Sequence, residues 1–150
     1  MKNLLDDTAK QEILKRIDSL SPNSKAEWGK MNVNQGIRHM AMAFDIGSGV
    51  LDPTPARVPP MPKWLMKIFL LNMKPPKEKA ETFKEMNMVA NKIDPKDFEA
   101  EKNNLKKQIE QLSPSTFFIP ENKLGGKFSK NDWGKLAYNH TDHHLRQFGA

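Results

Sequence analysis

The stretch Trp133-Gly134-Lys135-Leu136-Ala137-Tyr138-Asn139-His140-Thr141-Asp142-His143-His144-Leu145-Arg146-Gln147 reads as one amphipathic helix. Turned at about 100° per residue, it brings Trp133, Leu136, Ala137, His140, His143, His144 and Gln147 into an arc of roughly 100°. The apolar members of that arc mark a face turned to a core, so the histidines continue a buried stripe. His140 and His144 lie near its centre, one turn apart, and His143 lies at its edge. Imidazole nitrogens left unpaired in a core are costly, so these rings need polar partners or a metal. Two imidazoles at i and i+4 can hold one ion, but only weakly without a third ligand. The chain has four histidines, and His39 is the one that remains. The expectation is a scaffold that brings His39 to His140 and His144.

Working outward, Ser129 with Asp132 three residues on has the form of a capping box that starts this final helix. A second capping box, Asn32 with Gln35, predicts a helix from about Val33 that stops at Gly47-Ser48-Gly49. His39 falls in its middle, with Gln35 one turn earlier on the same face. Taken alone, a histidine in an apolar helix reads as a hydrogen-bonded core residue. Beside the C-terminal pair it becomes a candidate ligand, with Gln35, His143 and Gln147 as candidate pocket-lining residues. Asn139, Asp142 and Gln35 are candidates to orient imidazoles or substrate. Asp142 and Arg146 fall off the stripe, and Arg146 reads as a surface ion-pair residue.

The remaining chain supplies two further long helices. The spacing of Ile13, Leu14, Ile17 and Leu20 predicts a helix from Asp7 or Thr8 to Leu20, ended by Ser21-Pro22-Asn23-Ser24. Asp94-Pro95 reads as the cap and first turn of another, with Phe98, Leu105, Ile109 and Leu112 on its buried face and Ser113-Pro114 at its end. Between the second and third long helices, residues 51–63 hold five prolines and form a long connection. Residues 64–73 form a short apolar helix, read either as core filler or as a Met-containing pocket wall. Residues 77–93 are polar and carry no periodicity that assigns them. Residues 116–120 fit a short extended piece and residues 122–126 a loop.

At 150 residues the chain is expected to be one domain, 1–150. No run approaches the roughly 18 apolar residues of a membrane span. The opening Met1-Lys2-Asn3-Leu4-Leu5-Asp6-Asp7 has acids where a signal peptide has its apolar core, so the expected location is the cytoplasm. Without cysteine there is no disulfide, thiolate ligand or cysteine nucleophile. The net charge of +6 comes from lysines scattered among acids, with no basic stripe interleaved with aromatics, which argues against nucleic acid.

One family resemblance joins the two histidine segments. Residues 28–40, Trp-Gly-Lys-Met-Asn-Val-Asn-Gln-Gly-Ile-Arg-His-Met, resemble the second-helix segment of DinB-like proteins. Trp133 and residues 140–149, His-Thr-Asp-His-His-Leu-Arg-Gln-Phe-Gly, resemble the closing segment of an uncharacterised branch of that superfamily. The resemblance implies an all-α four-helix bundle with up-down-down-up connections. It also implies a divalent metal held by one histidine of the second helix and two of the fourth, which correspond to His39, His140 and His144. Relatives include bacillithiol transferases and maleylpyruvate isomerase. The branch often carries a loop of His-Pro-Phe-Phe-Gly type before the last helix, and this chain has Asn122-Lys123-Leu124-Gly125-Gly126. If the loop histidine helps the chemistry elsewhere, Asn122 counts against activity here.

Three neutral imidazoles leave positions open for water or a substrate atom. Zinc, nickel, iron and manganese all suit such ligands, whereas calcium and magnesium do not. The expected function is a metal-dependent transferase or hydrolase acting on a small electrophilic molecule. No general base stands out, which favours a low-molecular-weight thiol as co-substrate over hydrolysis. The alternative is a non-catalytic, metal-binding or stress-associated module that acts through a partner or a homodimer face.

Overall fold

The computed structural model describes residues 2–74, 76–77, 83–115 and 118–150. Among these, the chain is mostly helical. In order come α1 (Asp7–Ser19), α2 (Val33–Ser48), α3 (Lys63–Asn72), α4 (Phe98–Glu110), the two-residue strands β1 (Glu121–Asn122) and β2 (Gly126–Lys127), and α5 (Lys130–Gln147). β1 and β2 pair antiparallel as a small hairpin. No helix among the described residues is long and apolar enough to cross a membrane.

Both expected capping boxes form. The Asn32 side chain accepts from the Gln35 backbone N–H while the Asn32 backbone N–H donates to Gln35 Oε1. Ser129 and Asp132 make the same reciprocal pair at the start of α5. Each satisfies two helix donors that the turn itself cannot. α2 ends at Gly49, whose φ of 79° is the left-handed cap that a residue with a Cβ resists.

α4 begins later than the sequence suggests. Its cap is Asp97, which accepts from the Ala100 backbone N–H. Asp94 and Pro95 instead hold the preceding segment against the start of α2. Asp94 Oδ1 accepts from Asn32 Nδ2, and the Pro95 carbonyl accepts from Asn34 Nδ2. Of the expected extended piece at 116–120, Thr116 and Phe117 lie outside the described residues. The strands that do form are the hairpin on either side of residues 123–125.

α1 and α2 each pack against both α4 and α5, and α3 packs against α5 and the hairpin. Ile13 and Ile17 of α1, Ile37 and Met40 of α2, Leu105 and Ile109 of α4 and Leu145 of α5 are fully buried between them. Each such aliphatic side chain contributes about 1.5–3 kcal/mol. A second apolar cluster, with Ile46, Leu71, Phe83, Met86, Leu124, Phe128 and Trp133, joins α3 and the hairpin to the ends of α2 and α5. Both clusters draw on α2 and α5, the helices that carry the histidines.

Candidate metal centre

His39 comes from the middle of α2, and His140 and His144 from successive turns of α5. One nitrogen of each lies within 4.8 Å of one nitrogen of the other two. The ring centroids are 5.0 Å apart for His39 and His140, 4.5 Å for His39 and His144, and 4.7 Å for His140 and His144.

The partners of the rings fix which nitrogen faces inward. His39 Nδ1 lies 2.9 Å from the Met86 carbonyl oxygen, which can only accept, so Nδ1 carries the proton. His39 Nε2 is then a bare lone pair, 3.1 Å from His140 Nε2. His144 Nδ1 lies 2.8 Å from Gln147 Oε1. Gln147 Nε2 donates to the Trp28 carbonyl at 2.8 Å, which sets the amide so that Oε1 faces the histidine. His144 is thereby held as the Nδ1–H tautomer, with Nε2 available. Metal-bound histidines usually anchor the ring nitrogen that does not ligate in this way.

The donor set fits a transition-metal ion. At a metal–nitrogen distance of ~2.05 Å, two imidazoles on a tetrahedral ion stand ~3.3 Å apart. The 3.1 Å between His39 Nε2 and His140 Nε2 is close to this, and the wider separations must draw in toward it. The electrostatics agree. Burial holds the His39 pKa down, from 6.5 to about 4, and the Met86 hydrogen bond offsets only part of that. Burial, then the neighbouring His144 ring, holds His140 well below its usual range. His144 is lowered likewise, by burial first and then by His39. All three are neutral near pH 7, the state that ligates.

The other expected residues take different places. Gln147 is buried and holds His144, as just described. His143 is buried and packs edge-on against His144 and against Trp28, with centroids 4.9 and 5.7 Å away. Gln35 is taken up by the start of its own helix: Oε1 accepts from Asn32 and Nε2 donates to the Ile93 carbonyl at 2.8 Å. Asn139 Nδ2 donates to the Leu71 carbonyl and so ties α3 to α5. Asp142 sits between Arg16 and Arg146, at 2.7 and 3.0 Å. Sequence reasoning missed the carbonyls of Met86 and Trp28. A backbone acceptor has no residue-type signature, and Met86 lies in a segment without periodicity.

Gly29 makes the Trp28 contact possible. Its φ is +78°, and a Cβ there would stand 2.7 Å from Gln147 Nε2. The Trp28-Gly29-Lys30-Met31 segment thus reaches His144 through Gln147.

Next to the centre is a cavity of about 100 Å³ that includes His140 in its wall. Phe44 and Ile46 of α2, Leu70 of α3, and Trp133 and Leu136 of α5 supply apolar lining, with Phe83, Met86 and Leu124. Asn122 also lines it.

Residues 1–150 match a family described as protein of unknown function DUF1569. The chain is a DUF1569 protein. No curated protein and no solved structure matches it.

Proposed function

We propose that this DUF1569 chain is a DinB-like, up-down-down-up four-helix bundle that binds one divalent transition metal through His39, His140 and His144. In this reading it is a thiol-dependent transferase acting on a small electrophilic molecule. The observation that carries the reading is the pair of facing nitrogens, His39 Nε2 and His140 Nε2, with His39 anchored from behind by a carbonyl that only accepts. Either a neutral hydrogen bond, with the proton on His140 Nε2, or a metal ion joins them. His144, held in the matching tautomer by Gln147, favours the cation because it adds a third neutral nitrogen.

Bound there, a divalent ion lowers the pKa of a thiol and polarises a carbonyl. The chain's own part is to bind and orient. Burial keeps the imidazoles neutral, Met86 and Gln147 aim two of them, and an apolar wall lies beside His140. Among the described residues no aspartate, glutamate or lysine lines that wall, so none of these offers hydrolysis a general base, which supports a thiol co-substrate. The second reading is a non-catalytic metal-binding module. It draws on Trp64, Ile68, Phe69 and Met73, apolar side chains that α3 and its cap leave exposed, as a partner or homodimer surface.

Element analysis of protein purified without chelator, beside His39→Ala and His144→Ala, tests the reading. One metal per wild-type chain, lost in both variants, supports it; no metal in any sample refutes it. Assays of the loaded protein on electrophile panels, with and without added thiol, then separate transferase from module.

A further inference from the structure

α3 carries much of its apolar surface on the side away from the protein. At about 100° per residue, Trp64, Leu65, Ile68, Phe69, Asn72 and the cap Met73 fill one half of the helix. Trp64 is 65% exposed, Ile68 48%, Phe69 37% and Met73 53%, so this half faces solvent. A surface helix ordinarily turns its polar side outward. Both lysines of α3 lie on the other half. Lys67 Nζ is 2.7 Å from Asp132 and Lys63 Nζ is 3.1 Å from Glu121. Asn72, the one polar residue on the outward half, donates its amide N–H to the Ile68 carbonyl at 2.9 Å. The outward half therefore presents no charged group. Its four exposed apolar side chains offer roughly 400 Å², about half of what one partner supplies to a standard interface.

We infer that this face pairs with the same face of a second copy of the chain, α3 against α3 and antiparallel. Two features select a second copy. The exposed residues are symmetric along the helix, because Trp64 and Met73 lie equally far to either side of the point between Ile68 and Phe69. An antiparallel copy therefore brings Trp64 to the level of the partner's Met73, and Ile68 to the level of the partner's Phe69. Aromatic rings pack well against thioether and aliphatic groups. A self-matching pattern is what a two-fold interface between identical chains requires. Charge is the second feature. The chain carries +6, so two copies repel where lysines meet, and the lysines of α3 are turned away from this face. An anionic lipid surface would draw on lysines beside the apolar half, and these are held to Asp132 and Glu121 instead. The area sets the dimer at the weak end of specific interfaces, with dissociation in the micromolar range. The inference rests on α3 alone, so it stands apart from any metal on His39, His140 and His144.

Sedimentation velocity of the full-length chain from about 5 to 500 µM, with and without chelator, reads the association. A monomer–dimer equilibrium that chelator does not change is expected. Ile68→Glu should weaken it more than about tenfold, since it sets two carboxylates together near the two-fold axis. Its circular dichroism should stay that of wild type, because Ile68 is half exposed. The chain has no cysteine, so single cysteines report the pairing. Two copies of Ile68→Cys face each other near the axis, within disulfide reach, whereas two copies of Met73→Cys stand about 13 Å apart. Oxidation should link Ile68→Cys into dimers and leave Met73→Cys unlinked. A monomer at every concentration, association undiminished in Ile68→Glu and Trp64→Ser, or linking of Met73→Cys as readily as Ile68→Cys overturns the inference. Co-sedimentation of a monomeric chain with phosphatidylcholine vesicles containing phosphatidylserine also overturns it, and makes the occupant a lipid surface. If Ile68→Glu fails to fold, Trp64→Ser and the two cysteine variants still decide it. Metal found by element analysis in a chain that stays monomeric refutes the dimer and leaves the metal reading standing; a dimer without metal does the reverse.

Discussion

His39 Nε2 and His140 Nε2 lie 3.1 Å apart although 101 residues separate them in the chain. The contact is made by α2 packing on α5, and both apolar clusters bridge these two helices. At this separation the two nitrogens either share a hydrogen bond donated by His140 Nε2 or ligate one ion. Metal binding is therefore the first thing to measure.

Titration calorimetry with zinc or nickel should show one site per chain. His39→Ala and His140→Ala should each weaken it by more than about 100-fold, since two ligands cannot replace three. Equal affinity in wild type and both variants would place the ion elsewhere.

Gln147 holds His144 and is itself held by Trp28. Gln147→Ala should lower metal affinity by about 10- to 100-fold with α5 intact by circular dichroism. Gly29→Ala should act in the same direction through a different cause. Its Cβ would crowd Gln147 Nε2 at 2.7 Å, and its φ of +78° disfavours any residue with a side chain. A cost of roughly 1–2 kcal/mol in denaturant unfolding is expected besides the loss of affinity. Unchanged metal binding in Gly29→Ala would separate the Trp28 segment from the centre.

The pH dependence has a definite sign. His39 titrates near 4 in the folded chain and at its ordinary value of 6.5 when unfolded. Between these values the unfolded chain binds the proton and the folded chain does not, so stability falls as pH drops from about 6.5 to about 4. For His39 alone the loss is on the order of 3 kcal/mol. His140 and His144 are shifted in the same direction and steepen the fall. Urea midpoints of metal-free protein between pH 7.5 and 4 check this, and His39→Ala should flatten the curve. A midpoint independent of pH in that window would show that the rings are not buried as neutral groups.

The start of α4 offers a direct comparison of two aspartates. Asp97 accepts from Ala100 and caps the helix, so Asp97→Ala should cost about 1 kcal/mol. Asp94, exposed and paired with Lys96, should matter less. Thermal melts of the two variants that rank them in the other order would contradict the boundary at Phe98.

How much of this was legible beforehand differs from residue to residue. The capping pairs Asn32 with Gln35 and Ser129 with Asp132 are short-range chemistry, and they form as their spacing implies. The stripe from Trp133 to Gln147 likewise turns inward, because helical period and residue type together decide which face is apolar. Asp94-Pro95 misled because of contacts made far along the chain. The dipeptide can open a helix, but Asn32 and Asn34 of α2 offer it tertiary hydrogen bonds, and Asp97 is an equally good cap three residues on.

By itself, then, the sequence settled the helical character of the chain, the starts of α2 and α5, and the presence of histidines on both inward faces. Only the tertiary structure decided that Met86 and Gln147 aim two of those rings, that Gln35 serves its own helix, and that the Thr141 hydroxyl is buried without a hydrogen-bond partner among the described residues. Helix period and capping act within a few residues and leave a pattern in the letters. A carbonyl arriving from a segment 47 residues away acts through its backbone, which every residue shares.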